Sequence, residues 1–455
     1  MHLQVSLMIE ISANATLTQI EEQIQQAGHT WMRQGMKQAV SSWETQHQDC
    51  PRCGSAHQRL EGTVARVLYT QFGRVRLSLR RFRCQQCLHR WCPARVLLAS
   101  LQHKNVTAPL QDIAVLAGTS WPYRHAAQML ERLSGAQISA EEIRRLLNAQ
   151  GRQMANSQQQ EARSACAQPI SAQVEPVCGP PESLIGMDGG WVPSREQRGG
   201  MEGKVAVIAQ DKRPLPSSPR PHPSTLTWYE LAKRAKQGQR LAPPHPRARW
   251  MRRRYVATFD SSKHLGNLAA QAARQLECEP RSSVVVGDGA NWIKQEAQRH
   301  FQGAPCILDW PHLWRVMHKA VRETAREQKK TKRWRDAQAA LMKDWLWHGK
   351  IEPVQTLLRS WQHEGSVGSE GKAVREALSY LEHQRAWIGS YEAWRQQGYP
   401  VGSGIIERAV ALIINRRMKK RGMRWLRRNA TSLVTLRVHF LNTDWQQPAL
   451  TRSFP

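Results

Sequence analysis

The chain has 455 residues, with 66 Lys plus Arg against 36 Asp plus Glu, a formal charge of +30 and a pI near 10.5. Such a balance is the footprint of a protein that neutralises phosphates, a nucleic-acid binder or a ribosome-associated chain, and it excludes an acidic solvating polymer. Hydrophobic residues at 40% and charged residues at 22% exclude wholesale disorder, and the length suits about three domains with a real core.

The first residues, Met1 to Leu7, lack the basic start and long apolar core of a signal peptide, and no apolar stretch approaches the ~20 residues of a membrane span. The expectation is a cytoplasmic protein without membrane contact. In that compartment nine cysteines read as metal ligands or buried thiols rather than disulfides.

From Leu17 to Trp43 apolar residues recur at a roughly helical period (Leu17, Ile20, Ile24, Trp31, Met36, Val40, Trp43), which predicts one long or two short helices over residues 1–45. Cys50-Pro51-Arg52-Cys53 and Cys84-Gln85-Gln86-Cys87 follow, 30 residues apart. Between them Val75, Leu77 and Leu79 alternate with Arg74, Arg76 and Arg80, the period-two signature of a strand with one apolar and one cationic face. Two Cys-x-x-Cys knuckles joined by a hairpin describe a zinc ribbon over 46–100, and four thiolates leave no open position on tetrahedral Zn²⁺, so one structural ion is expected. His57, His89 and Cys92 rank below the four cysteines as ligands.

Residues 101–160 read as short helices: Leu110–Leu116, Pro122–Leu133 and Ser139–Asn148, the last with Ser139 and Glu142 spaced as a capping box. They form either a helix-turn-helix presenting Arg144 and Arg145 to DNA or a plain helical bundle. A polar stretch ending in Gly179-Pro180-Pro181 reads as a linker, 161–183.

Beyond 184 the period changes. Strands are predicted at Leu184–Met187, Lys204–Ala209, Tyr255–Phe259, Ser283–Val286 and Ala304–Leu308, with a helix over Leu265–Leu276. Asp188 and Asp288 each end an apolar run and precede a glycine, and Glu407 lies just inside a helix after Gly402-Ser403-Gly404. Three carboxylates converging from rigid elements suit two Mg²⁺ ions, with Mn²⁺ as a substitute, and in-line attack on a phosphodiester. Asp260, after the third strand, is a rival for a place among them.

Two insertions interrupt this region. Residues 211–254 hold eight of the 24 prolines and twelve cations, ending in Arg252-Arg253-Arg254, and read as a basic loop that either meets DNA or is merely solvated. Residues 313–400 read as a helical insertion whose tryptophans (Trp334, Trp345, Trp347, Trp361, Trp387, Trp394) form its core. After the fifth strand comes Asp309-Trp310-Pro311-His312, an Asp-x-x-His that either serves the acidic site or is a satisfied pair at a strand end. Eight cations fall within thirteen residues at Arg416, Arg417, Lys419, Lys420, Arg421, Arg424, Arg427 and Arg428, a density that favours phosphate binding over a solvated helix face.

The Gly-Ser-Gly-x-x-Glu turn, the Lys420-Arg421-Gly422-Met423-Arg424-Trp425 stretch, the closing Leu436-Arg437…Leu441-Asn442…Trp445, the strand-borne Asp-Gly pairs and the Asp-x-x-His together resemble the bacterial insertion-sequence transposases of the ISKra type. The helical insertion before the glutamate is similar to that of the wider Mutator and hAT-like group. The resemblance runs from the cysteine region to about Trp445 and departs in Trp310-Pro311, in Arg408 directly after the glutamate, and in a long proline-rich insertion.

The resemblance implies an α/β fold with an RNase H-like catalytic core over 184–455, whose strand and helix order the prediction matches. It implies Asp188, Asp288 and Glu407 as the DDE triad, with Asp309 and His312 beside it. The implied activity is cleavage at terminal inverted repeats of double-stranded DNA and joining of the 3′ ends to a target, by a homo-oligomer on DNA. Two rival readings stay open: a metal-dependent nuclease that cuts without joining, and a zinc-containing DNA-binding regulator without catalysis.

Overall fold

The computed structural model describes residues 9–99, 101, 105–166, 180–214, 237–238, 248–363 and 371–442. The chain divides into two compact units, one running to Arg152 and the other from Gln153 to Asn442.

The first unit begins with a single helix, α1 (Leu17–Gln46), opened by a Thr16/Gln19 capping box that satisfies its first free N–H groups. A hairpin follows, β1 (Gln58–Thr70) and β2 (Gly73–Cys84), with a two-residue β3 (Arg90–Trp91) on the other side of β2. Along β2 the expected alternation holds: Val75, Leu77 and Leu79 are buried while Arg74 and Arg76 are exposed. The buried row packs on Met36 and Val40 of α1. Arg80 ties the same strand to that helix. Its backbone N–H donates to the wholly buried Glu44 carboxylate at 2.9 Å, and its guanidinium reaches Thr45 and Ser41. Glu44 thus covers an N–H on the open edge of β2, and burial raises its carboxyl above the ordinary range.

Helices α2 (Arg95–Ala99), α3 (Ala108–Ser120), α4 (Tyr123–Ser134) and α5 (Ala140–Cys166) come next. Two expectations change here. The last helix does not stop at Asn148 but runs to Cys166, so residues expected to begin the linker are helical. The polar Gln, Glu and Arg of this stretch are good helix formers, and Ala162 is fully buried. Arg144 and Arg145 are engaged with Glu141 and Glu142 one turn back, and Glu142 therefore does not close the capping box, although Ser139 accepts its backbone N–H at 3.1 Å. Of the rest of the expected linker, 167–179 lies outside the described residues, and its last residue, Ser183, already begins a strand.

The second unit is built on a five-stranded mixed sheet: β4 (Ser183–Val192), β5 (Met201–Pro214), β6 (Ala248–Thr258), β7 (Ser283–Gly287) and β8 (Cys306–Leu308), in the order β6-β5-β4-β7-β8. The first three strands pair antiparallel, and β7 and β8 join in parallel. Ser283–Gly287 is buried throughout, as a parallel strand covered on both faces must be. Helices α6 (Ser262–Gln275) and α7 (Asn291–His300) connect the later strands. Helices α8 (Trp310–Glu327), α9 (Lys332–Trp347), α10 (Ile351–His363), α11 (Lys372–Gln384) and α12 (Tyr391–Gln396) form the insertion, in which all six expected tryptophans lie in or against the core.

Strand lengths correct the sequence expectation. β5 continues to Pro214 and β6 starts at Ala248, so Arg252, Arg253 and Arg254 sit in an edge strand, paired with Gln210, Ala209 and Ile208, rather than in a loop. Tyr255, Ala257 and Trp250, buried in the core, carry the register back into residues that charge alone assigned to the insertion. The remainder of that insertion lies almost entirely outside the described residues. Among the described residues, no helix is long and apolar enough to cross a membrane.

Candidate functional site

The four cysteines of the first unit meet. Their sulfurs all lie within 4.8 Å of one another, with Cys50 to Cys87 at 3.5 Å and Cys53 to Cys84 at 3.6 Å. Zn–S bonds of about 2.3 Å in a tetrahedron imply S···S edges of about 3.8 Å, so the donor set fits zinc. Each knuckle is shaped by a left-handed residue, Gly54 (φ +71°) in one and Leu88 (φ +60°) in the other, and closed by backbone bonds from Gly54 N–H to Cys50 C=O and from Cys84 N–H to His89 C=O. The Cys87 backbone N–H above all, against the cost of burial, brings the Cys84 thiol down to about 6, which favours the thiolate that a metal needs. His57 and His89 contribute backbone carbonyls to these turns, and Cys92 packs in the hairpin core. None of the three joins the cluster.

In the second unit Asp188, Asp288 and Glu407 come from three separate segments to one end of the sheet. Asp188 does not end its strand as expected. Beyond Gly186 the parallel partner β7 stops, while the antiparallel ladder with β5 continues to Val192. Asp188 therefore sits just past the last parallel pair, where its side chain has lost a neighbouring strand.

The helix bearing Glu407, α13 (Gly404–Val410), leads into a π-helical turn over Ala411–Asn415. Its apolar side, Ile406, Val410 and then Ile414, lies on Gly186, Gly190 and Gly203, where an added Cβ would come within 2.9–3.1 Å of these side chains. Glycine at those positions lets the helix approach the strand on the face that also carries Asp188, since residues 186, 188 and 190 share one face. Glu407 itself is exposed.

Asp288 follows β7 directly, and its Oδ1 accepts the Ala290 N–H at 2.9 Å. The insertion supports this turn. Tyr380 donates its hydroxyl to the Asp288 carbonyl at 3.3 Å, and Gln384 donates to the carbonyl of Gly289, which adopts φ +80°. Burial first, and then the charges of Asp288 and Asp309, push the Tyr380 hydroxyl well above its usual range, so it stays a donor. Sequence reasoning missed Tyr380 and Gln384 because they act from 92 and 95 residues away.

The carboxyl of Asp188 is pushed up to about 6. Burial is the largest cause, opposed by the Gly189 N–H that donates to it at 2.6 Å and reinforced by the charges of Asp288, Glu407 and Asp309. The acids are thus electrostatic neighbours. Among the described residues, however, the four cysteines are the only group of three or more such side chains whose donor atoms all lie within 4.8 Å of one another, so the three carboxylates are not all that close.

Asp309 has a different part. It is fully buried and its two carboxylate oxygens are taken by backbone donors: His312 N–H at 3.0 Å, as the N-cap of α8, and Ser403 N–H at 2.7 Å. It therefore fixes the turn that launches the Glu407 helix. His312 lies 4.0 Å from it and is about a third exposed. Asp260 is engaged elsewhere, with His264 at 3.3 Å and with Thr258; the His264 contact is the first cause that lowers its carboxyl.

The basic stretch after Glu407 is not one helix. Helix ends at Met418, and the chain loops to Leu426 before α14 (Arg427–Leu441). Arg417 departs from expectation: it is 1% exposed, with its guanidinium 5.4 Å from the centre of the Trp425 ring, and so holds the loop from beneath. Arg416, Lys419, Lys420, Arg421 and Arg424 are exposed. The loop is fastened to the residues after β4 by Trp425 N–H to Pro193 C=O, Arg195 N–H to Trp425 C=O, and Arg424 Nε to Ser194 C=O at 3.1 Å. Asn442, closing α14, exchanges two hydrogen bonds with the backbone of Tyr255 and covers the outer edge of β6. Trp445 lies outside the described residues.

No protein-family model matches the chain, and no curated protein matches it.

Proposed function

We propose that this chain is a DNA transposase of the DDE type, with an RNase H-like core in its second unit and a zinc-stabilised hairpin in its first. The observation that carries this reading is the meeting of Asp188, Asp288 and Glu407, whose segments are far apart in sequence, at one end of a sheet in a protein of charge +30. The sheet order, with its third, second, first, fourth and fifth strands side by side, is compatible with that core. A cation-rich loop fastened beside the strand of Asp188 supports a phosphate-bearing substrate.

Asp188, Asp288 and Glu407 would hold two Mg²⁺ ions, or Mn²⁺ in their place; their oxygen donors suit hard cations that keep part of their water. Bound there, such ions would lower the pKa of an attacking water or 3′-hydroxyl and would stabilise the leaving oxygen. The chain's own residues set the positions. Asp309 orients the Ser403 turn and with it Glu407; Tyr380 and Gln384 hold the Asp288 turn; the glycines of β4 admit the helix. Lys419, Lys420, Arg421 and Arg424 would bind backbone phosphates, which fix register without reading sequence. DNA ends are the substrate and target DNA the acceptor, with the oligomer assembling on them.

The test is a strand-transfer assay with pre-cleaved ends taken from DNA flanking the coding region. Wild-type protein with Mg²⁺ joins those ends to a target plasmid. Asp188→Asn, Asp288→Asn and Glu407→Gln each lower cleavage and joining by about three orders of magnitude while retaining duplex binding, because each removes a charge from the metal-holding set. Near wild-type cleavage by any one of these variants removes that residue from the triad, and cleavage without joining reduces the activity to a nuclease.

A further inference from the structure

Past the last pairing with β6, at Lys204↔Thr258, β4 and β5 continue as a two-stranded ribbon, Gly190–Val192 against Met201–Gly203. Its loop, 193–200, is fixed. Ser194 Oγ accepts the Glu196 N–H at 3.0 Å, and Gly200 at φ +97° leaves no space for a Cβ, which would lie 2.7 Å from the Val192 carbonyl oxygen. On this ribbon Trp191 is 58% exposed, whereas most tryptophans of the second unit pack in or against its core. A hollow of about 380 Å³ opens beside it, lined among others by Pro193, Gln197, Arg198, Gly199 and Arg424. Across the ladder from Trp191 stands Glu202, whose charge is answered by Lys204 at 3.3 Å.

An indole face in the open, with two guanidinium groups at the rim of an adjoining hollow, matches the chemistry of an unpaired nucleotide: a π-surface for the base and cations for its phosphate. Trp191 stands three residues beyond Asp188 and so on the opposite face of β4, the face it shares with Glu202 of β5. We propose that Trp191, with Arg198 and Arg424, forms a subsite for an unpaired nucleotide of the bound DNA strand. The inference rests on the reading of the second unit as a DNA-processing core and names a feature of its substrate, an end with unpaired bases. The tryptophan stacks on the base, and the arginines hold the flanking phosphate.

The test compares a blunt duplex with a duplex of equal length ending in a four-nucleotide single-stranded overhang, measured by fluorescence anisotropy with no added divalent metal. Trp191→Ala weakens overhang binding about tenfold and leaves blunt-duplex binding unchanged, while Trp191→Phe stays within about threefold of wild type. A 2-aminopurine in the overhang is quenched by wild type and not by Trp191→Ala. Equal loss on both DNAs, no loss on either, or a changed oligomeric state in Trp191→Ala overturns the subsite. Because Trp191 is exposed, its replacement leaves the unfolding midpoint in place, and a shifted midpoint also counts against the proposal. Binding without metal needs no chemistry, so failure of the triad variants to lose cleavage would leave this result standing, and the reverse holds as well.

Discussion

The four cysteines of the first unit and the three carboxylates of the second gather ligand-bearing side chains in opposite ways. The cysteines come as two tight turns, each pair separated by two residues and each turn closed by its own backbone hydrogen bonds, and the sulfurs of one turn approach those of the other to 3.5 and 3.6 Å. The set is closed, with four soft donors and no free position. The carboxylates arrive from a strand, a strand end and a helix, are not all that close, and raise the charging cost of Asp188. One arrangement suits holding a fold together. The other keeps uncompensated charge near solvent, which is useful only where a cation or a reacting group will use it.

The largest effect should come from breaking the closed set. Structural zinc binding is worth about 10 kcal/mol or more in small domains, and that energy is folding energy. Purified protein is expected to hold one zinc per chain, and Cys84→Ser to lose it. Hydrogen exchange should then show the hairpin 58–84 opening while the second unit keeps its protection. Zinc-free wild-type protein with an intact hairpin would overturn the structural role.

The contrast also explains what was legible in the sequence. Cys-x-x-Cys spacing is a local signal, and the alternation of Val75, Leu77 and Leu79 with arginines predicted both the strand and its buried face. Asp288 was legible as a strand-end position, since an apolar run followed by Asp-Gly is a local signal, whereas the same signal misplaced Asp188, which lies inside β4 because the ladder with β5 continues to Val192. The supports of the acids were not legible: Tyr380, Gln384 and the Ser403 turn reach the site through contacts spanning 92, 95 and 94 residues, which no short-range pattern encodes. Charge was the least faithful guide. It assigned Arg252–Arg254 to a loop and Arg417 to a surface, whereas pairing with β5 draws the first three into a strand and Trp425 with Met423 contacts the buried guanidinium of the other.

A second effect, smaller than zinc loss, sharpens the electrostatic side of the comparison. The folded-state carboxyl of Asp188 lies near 6 against an ordinary 3.8, so between those values the folded protein binds more protons than the unfolded chain. Stability contributed by this group is therefore highest below about pH 4 and declines as pH rises toward 6, by roughly 3 kcal/mol in all. Asp188→Asn keeps the shape and can still accept the Gly189 N–H, so it should stabilise the second unit at pH 7 in metal-free conditions. The gain should vanish near pH 4. Thermal melts of both proteins at pH 4 and pH 7 check this, and an unchanged or lowered midpoint at pH 7 would remove Asp188 from a charge-strained cluster.

The smallest effect concerns the basic loop and separates its two kinds of cation. Lys419, Lys420 and Arg421 are exposed, and each one that neutralises a phosphate lowers the slope of log affinity against log salt by about 0.9. Replacing all three with Ala should flatten the slope by up to about 2.7, equally on element ends and on unrelated duplexes, with the unfolding midpoint unmoved. Arg417→Ala should do the reverse. It removes a buried guanidinium packed on Trp425, so the second unit melts earlier, and the change in salt slope at a temperature where it is folded is small. If the triple variant keeps the wild-type slope, phosphates do not lie along this loop, and the next surface to test is the edge strand of Arg252 and Arg254, whose neighbour Asn442 already closes the sheet on that side.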